Sequence, residues 1–347
     1  MECGLQFHRY RRRFRATPRN GADPWRFREG ILIRLNAPDG RCAYGEIAPL
    51  PAFGTEVLPH AESYLLAFAG RIRREEVEAT PEALPCCRFA LESAWDDLES
   101  RSRFGGGAPA ESRALLPVAG LLPGGKDPGV HVDQLLEQGY RTLKWKVGVT
   151  SFEVERDWFR AMRERVPKEV VWRLDANGAL DVDTVEQWAR ELEEVAVEFL
   201  EQPLPVREVD LLLALAKDLA LPLALDESVG TVRLLREWRD RGWPGFFVVK
   251  PAISGSPFAL ERFLMQAGPR VVFSSALETG IGLRHALEIV FSCNEAGRAV
   301  GWGTGALFGE DKLSPRFGAR LSHSTIASID PQAIWNQAAD EPWGAID

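Results

Sequence analysis

Charged residues close one apolar run after another down the second half of this chain, at nearly constant intervals. TLKWK ends on Lys146, VVWRLD on Asp175, VEFLE on Glu201, LPLALD on Asp226 and FFVVK on Lys250, with gaps of 29, 26, 25 and 24 residues. An interval of about 25 residues is one strand, one crossover helix and two short loops. The repeat therefore predicts successive βα units whose strands all open on one face. Eight apolar runs occur, at 115–122, 142–147, 170–175, 197–201, 221–226, 246–250, 271–276 and 299–303. Between them lie helical patterns, among them 182–195, 209–219, 232–241, 257–267 and 284–296. Continuous apolar strands between amphipathic helices imply a parallel sheet covered by helices, and eight repeats favour closure into a barrel. No G-x-G-x-x-G follows the first strand and GLLPGGK lacks P-loop spacing, so nucleotide-binding folds lose support.

In a parallel barrel the carboxyl ends of the strands form the active-site face. Asp175, Glu201 and Asp226 end the third, fourth and fifth runs. Neighbouring strands lie about 4.8 Å apart, so three such acids can close on one ion. All-oxygen donors suit Mg²⁺, with Mn²⁺ as a substitute, better than Zn²⁺. A lone acid at such a turn is accounted for by helix capping; three in register between lysine-bearing strands are not.

The lysines are selective. The chain has 35 arginines and seven lysines, and Lys144, Lys146 and Lys250 are three of the seven. Arginine stays protonated, whereas a lysine amine shifts readily with burial or a nearby cation. In K-x-K, Lys144 and Lys146 share one side of a strand and Trp145 faces the helices. Repulsion between the pair and a neighbouring ion are expected to lower their pKa and leave a base fit to take a proton from carbon. A carboxylate held by the metal would acidify that proton. Lys250, across the barrel, is either a second base or a cation that stabilises the intermediate. Simple salt bridges to the acids would balance charge but would not require the K-x-K pair.

Residues 1–104 read as a separate α+β region, with β-like runs at 27–35 and 41–47 about the Pro38-Asp39-Gly40 turn, a loop at 48–56, and helical patterns at 60–74 and 85–100. Gly105 to Gly107 read as a hinge, residues 110–319 as the barrel, and 320–347 as a helix-poor tail returning to the first region. The run Arg11 to Arg13 reads as the solvated face of an edge strand. A net charge of −8 argues against bulk nucleic-acid binding. No apolar stretch reaches the roughly 20 residues that span a bilayer. Five cysteines without a C-x-x-C pair fit reduced thiols, and MECGLQFHRYRRRF lacks an apolar signal core; both suggest a cytoplasmic location.

The order K-x-K, D-x-N, E-Q-P, D-E-S and K-P resembles the enolase superfamily, muconate-lactonizing-enzyme subgroup. REGILIRL, YGEIAPLPAFGTE, SSALETGIGL and GWGTGALF narrow the likeness to its o-succinylbenzoate synthases. The resemblance implies a modified TIM barrel, (β/α)₇β, capped by an α+β domain built from the N-terminal region and the C-terminal tail. It implies Mg²⁺-dependent syn dehydration of 2-succinyl-6-hydroxy-2,4-cyclohexadiene-1-carboxylate to o-succinylbenzoate, on the route to menaquinone or phylloquinone. Lys146 would be base and then acid, Lys144 would hold the carboxylate, and Lys250 would lie over the ring face. Asp175, Glu201 and Asp226 would hold the ion, and Arg173 and Asn177 would support it or touch substrate. Backbone around Ser274 and Gly301 would bind the succinyl carboxylate, and the loop bearing Phe53 would close over the site. Ala52 stands where the family form has glycine.

The same resemblance admits N-succinylamino-acid racemisation and dipeptide epimerisation. The last strand, GWGTG, carries no acid to hold a peptide amine, which weighs against the epimerase. A non-catalytic binding barrel would be expected to have lost some of the strand-end set, and all of it is present. The partner implied is a small carboxylate, with neither nucleic acid nor membrane; the number of subunits is left open, a monomer being compatible.

Overall fold

The computed structural model describes residues 1–15, 19–20, 23–99, 115–124, 129–267, 270–294, 297–309 and 312–340. The expected hinge at Gly105 to Gly107, and the boundary beside it, lie outside the described residues.

The N-terminal region is a four-stranded antiparallel sheet formed by β1 (Glu2–Arg13), β2 (Phe27–Asn36), β3 (Cys42–Ile47) and β4 (Arg71–Arg73), ordered β3-β2-β1-β4. Gly40, at φ 89°, supplies the left-handed turn between β2 and β3. The helix expected at 60–74 is shorter. Helix α1 (Leu58–Leu66) stops before Ala69 and Gly70, at φ 50° and 81°, and Arg71–Arg73 then alternates so that Ile72 is buried. Positive φ ends the helix, and pairing with Glu2, Cys3 and Gly4 captures the next residues as a strand. Helix α2 (Arg74–Glu78) leads to α3 (Pro85–Leu98). Eleven of its 14 residues are buried, because the sheet covers one side and the barrel the other. Gly45 permits this approach: a Cβ there would lie 2.3 Å from the Ala90 carbonyl oxygen.

The barrel strands β5 (Gly120–Leu122), β6 (Thr142–Lys146), β7 (Val171–Asp175), β8 (Val197–Glu201), β9 (Leu223–Leu225), β10 (Phe246–Val249) and β11 (Val271–Phe273) pair in chain order, all parallel. The eighth run closes the ring through bridges Ser274↔Gly301 and Val118↔Val300. The first run divides at Pro117, with Leu116 and Pro117 pairing antiparallel with Leu321 and Arg320. Between strands lie α4 (Gly129–Glu137), α5 (Phe152–Arg165), α6 (Val182–Glu191), α7 (Val209–Asp218), α8 (Val232–Asp240), α9 (Pro257–Ala267) and α10 (Gly280–Cys293). Trp145 faces the helices as its parity requires, its ring 6.2 Å from Phe159 and 6.3 Å from Trp188. Inside the barrel Phe199, Ala224, Phe246, Val248 and Val272 form a separate apolar cluster.

The tail is not helix-poor. It forms α11 (His323–Ala327) and α12 (Pro331–Asp340). Pro331 opens a helix rather than breaking one, because the first turn has no use for its missing N–H. Asp330 Oδ1 accepts from the N–H groups of Gln332 and Ala333. Trp335 then packs with its ring 4.1 Å from that of His8 of β1, tilted by 57°.

Arg12 is a second departure: it is buried, not solvated. Its guanidinium lies 3.6 Å from the Phe308 ring and donates to the Glu278 carbonyl at 3.1 Å. Arg28 donates to the Ala276 carbonyl at 3.1 Å. Glu46, fully buried, accepts from Tyr10 Oη at 2.5 Å and from the N–H groups of Thr279 and Gly282 at 2.9 Å. A carboxylate of the cap sheet thus caps the N-terminus of barrel helix α10. Gly282 leaves room for it, since a Cβ there would lie 2.9 Å from Glu46 Oε2. Replacing Glu46 by Leu should destabilise the protein by about 1–3 kcal/mol for each N–H left buried and unpaired. The check is the urea midpoint; an unchanged midpoint would show that the cap docks without this carboxylate.

Candidate active site

Parallel register brings Lys146, Asp175 and Glu201 level, Asp175 between the other two, with Asp226 two residues beyond Ala224, the partner of Glu201. The Lys144 ammonium lies 2.8 Å from both Asp175 Oδ2 and Glu201 Oε2, so these carboxylates converge on a single positive centre. Lys250 pairs with Asp226, and its Nζ is 4.4 Å from the centre of the Phe53 ring. Phe53 is buried, and the cap loop rests directly on the barrel: a Cβ on Gly230 would lie 2.3 Å from the Phe53 carbonyl oxygen. Ala52 is exposed within the 3₁₀ turn Pro51–Phe53, and it is Gly54, at φ 83°, that carries the left-handed conformation. The alanine therefore meets no backbone demand for glycine.

Burial and crowding dominate the electrostatics. Burial, then the charge of Asp175, pushes Glu201 up to about 8 against the pull of Lys144. Burial raises Asp226 to about 6, while Lys250 opposes and Glu227 adds to the rise. Asp175 goes the other way: burial would raise it, but Lys144, by charge and hydrogen bond, holds it below the usual carboxylate range. Lys144 departs from expectation. Burial favours its neutral form, yet Asp175, Glu201 and Asp226 together raise it above an ordinary lysine, so it is a fixed cation here.

Four further positions differ in kind. Arg173 is buried inside the barrel two residues below Asp175, donating to Glu198 at 2.8 Å with its guanidinium 5.1 Å from the Phe199 ring. It braces the strand wall rather than facing the mouth. Asn177, at φ 44°, donates its side-chain amide to Glu227 at 3.0 Å and its N–H to Asp175 Oδ1 at 3.1 Å. Ser274 and Gly301 adjoin as expected, but their backbone N–H groups do not face a ligand: each donates at 2.8 Å to a strand carbonyl, of Val249 and Phe273. Barrel closure uses them, and the Ser274 hydroxyl itself donates to the Gly301 carbonyl at 3.4 Å. A side chain at 301 is excluded, because a Cβ would lie 2.4 Å from Ser274 Oγ.

Gln202 and Glu227 were not anticipated. Gln202 sits at φ 36°; its Oε1 accepts from the N–H groups of Asp226 and Ser228, and its Nε2 donates to Leu204 O and Ser228 Oγ. It fixes the turn that presents Asp226. The signal was an amide immediately after a strand-end acid and before proline.

The donor set fits a hard divalent cation: three carboxylates on adjacent strands, with no histidine or cysteine in the row. The tightest group of metal-type donors among the described residues is elsewhere, Asp97, His285 and Glu288 at the cap–barrel seam. Arg284 pairs with Asp97 and lies 3.6 Å from Glu288, and His285 Nε2 meets the Tyr44 carbonyl at 2.9 Å, so that group is a salt-bridge network.

The comparisons agree with this geometry. Residues 130–300 match the family model described as enolase C-terminal domain-like, and residues 21–98 match the MenC N-terminal domain. The fold and strand-end set define an enolase-superfamily barrel with its cap. An o-succinylbenzoate synthase of Thermosynechococcus vestitus is 38% identical over 284 residues, covering 80% of this chain and 86% of that protein. One of Mycolicibacterium smegmatis is 32% identical, covering 76% and 78%. The solved o-succinylbenzoate synthase of Thermosynechococcus elongatus BP-1, which holds Mg in its active site, superposes with a TM-score of 0.80 at 33% identity over 96% of this chain and 99% of that one. The chain belongs to the o-succinylbenzoate synthase family. The L-Ala-D/L-Glu epimerase of Bacillus subtilis, at 20% identity and TM-score 0.74 over 88% of this chain and 90% of that one, shares the fold.

The raised carboxylates make a pH prediction for protein in chelator. Glu201 and Asp226 keep protons in the folded state that the unfolded chain releases above its ordinary values of 4.5 and 3.8. Their contribution is complete below about pH 4 and is lost as pH rises toward 8. Tm in EDTA should fall from pH 5 to 8, and Glu201→Gln should flatten that fall; parallel slopes in the two proteins would refute it.

Proposed function

We infer that this protein is an Mg²⁺-dependent carbon–oxygen lyase that dehydrates 2-succinyl-6-hydroxy-2,4-cyclohexadiene-1-carboxylate to o-succinylbenzoate, in menaquinone or phylloquinone synthesis. The observation that carries it is the placing of Asp175, Glu201 and Asp226 at the ends of three adjacent parallel strands, paired with Lys144 and Lys250 from the strands on either side, in a chain of this family. When bound by these three carboxylates, Mg²⁺ supplies positive charge to the substrate carboxylate and so acidifies the neighbouring carbon.

Lys146 removes the proton α to that carboxylate. The C–H electron pair enters the ring system as a dienolate, then expels the 6-hydroxyl, which takes the same proton from the Lys146 ammonium and leaves as water. One residue serving both steps accounts for a syn course. Lys144, held cationic by its carboxylates, orients the substrate carboxylate and disfavours a second ammonium at Lys146. Lys250 supplies charge over the ring face; its ammonium, 4.4 Å from the centre of the Phe53 ring, supports that role. Phe53 and its loop exclude water above the ring. The Ser274 hydroxyl, beside the side-chain-free Gly301, offers the succinyl carboxylate a neutral donor.

The epimerase reading lacks an acid at the last strand, where residues 301–305 read GWGTG. Racemisation of N-succinylamino acids would use the same lysines and is tested alongside, by loss of optical rotation of an N-succinylamino acid.

Lys146→Ala should reduce kcat by at least about 10³-fold, somewhat less than the full value of positioned acid–base catalysis, with Mg²⁺ affinity within a few-fold of wild type by calorimetry. Retained dehydration, followed by loss of the cyclohexadiene absorbance, would remove Lys146 as base. EDTA should abolish turnover and added Mg²⁺ restore it; activity indifferent to chelator would refute the metal reading.

A further inference from the structure

Glu227 is the acid of the site that the three-carboxylate set leaves out. It follows Asp226 directly, opens the turn Glu227–Val229, and is only 8% exposed. Its Oε1 accepts from Asn177 Nδ2 at 3.0 Å. Its Oε2 is shielded from solvent and meets no hydrogen-bond donor among the described residues. Leaving a buried acceptor so is costly, and more so for a charged one. Such an atom at a functional site points to a donor that arrives with what the site binds.

Three observations orient that donor. Glu227 directly follows the Asp226 carboxylate at the end of its strand, which places it at the mouth beside the other strand-end acids. The Lys250 ammonium is already engaged by Asp226 and the Phe53 ring. Asn177 links Asp175 to Glu227, its N–H on one and its amide on the other, and adopts a left-handed backbone to do so. Asparagine tolerates that conformation better than most residues. On its other side Glu227 borders a groove of about 370 Å³ under the cap loop, lined also by Phe53, Gly54 and Leu234.

We propose that Glu227 Oε2 accepts a hydrogen bond from water carried by the divalent ion, as an outer carboxylate of the metal centre anchored by Asn177. This rests on the reading that Asp175, Glu201 and Asp226 hold Mg²⁺. Magnesium keeps several of its waters when bound by carboxylates, so acceptors one layer out contribute to holding it. Glu227 is a positioning residue: it acts through the hydrated ion and not on the substrate.

The test is Mg²⁺ titration calorimetry, with Mn²⁺ paramagnetic resonance as a second readout, on the full chain and on Glu227→Gln, Asn177→Ala and Asp226→Asn. Glu227→Gln keeps an oxygen for Asn177 and removes the charge. It should weaken Mg²⁺ binding about 10- to 100-fold without lowering the Tm of the metal-free protein. Asn177→Ala should weaken binding in the same direction, by less. Should Glu227→Gln not fold, Glu227→Asp, which shortens the reach, should show the same loss. Wild-type affinity in a folded Glu227 variant, with kcat alone reduced, would overturn the proposal and assign Glu227 to Lys250 instead. If the wild-type chain bound no Mg²⁺, or Asp226→Asn bound it unchanged, the metal reading itself would fall.

Discussion

Three carboxylates brought together in a buried mouth are the constraint that the rest of this structure answers. Burial and mutual repulsion push Glu201 up to about 8 and Asp226 to about 6, so the site is unfavourable unless cations are placed against it. The lysines do this within the chain: Lys144 spans Asp175 and Glu201, and Lys250 meets Asp226. The arrangement is also why the site is receptive. A divalent ion would offset the same repulsion with higher charge and release the ammoniums toward substrate. Rigidity has to come from elsewhere, because like charges relax apart. Gln202 uses both ends of its amide to fix the Asp226 turn, and Arg173 pairs with Glu198 to brace the wall beneath.

Much of this was legible in the sequence because it is periodic. Strand, helix and loop lengths are set by local geometry, so strand ends recur at a near-constant interval and charged residues there stand out against apolar runs. K-x-K parity placed Lys144 and Lys146 together and Trp145 among the helices. What was hidden depends on partners distant in the chain. Arg12 looks like part of a solvated basic run until Phe308 and the Glu278 carbonyl cover it. The helical pattern at 60–74 gives no warning that Glu2, Cys3 and Gly4 will recruit Arg71–Arg73 as a strand. The backbone N–H groups of Ser274 and Gly301 seemed available because an isolated strand end has free donors; ring closure consumes them. Gln202 and Glu227 flank recognisable acids, and adjacency masked their separate work.

The cap is fastened to the barrel beside the strand-end residues, and a few bonds decide this. Glu46 takes donors from Tyr10 in the cap sheet and from the first turn of α10 in the barrel. Arg28 and Arg12 hold the Ala276 and Glu278 carbonyls of the segment between Ser274 and that helix. The seventh-strand loop is therefore built jointly by both regions, and the loop carrying Phe53 leaves the same cap strand as Glu46. A shift of the cap would move the lid over Lys250 and the wall at Ser274 together. This coupling ties two separated segments, YGEIAPLPAFGTE and SSALETGIGL, to one another: each supplies the half of a buried contact that the other cannot satisfy alone. The lysines and carboxylates sit on strands held by the barrel ladder, whereas the Phe53 loop and the segment after Ser274 hang on the Glu46 and Arg28 contacts.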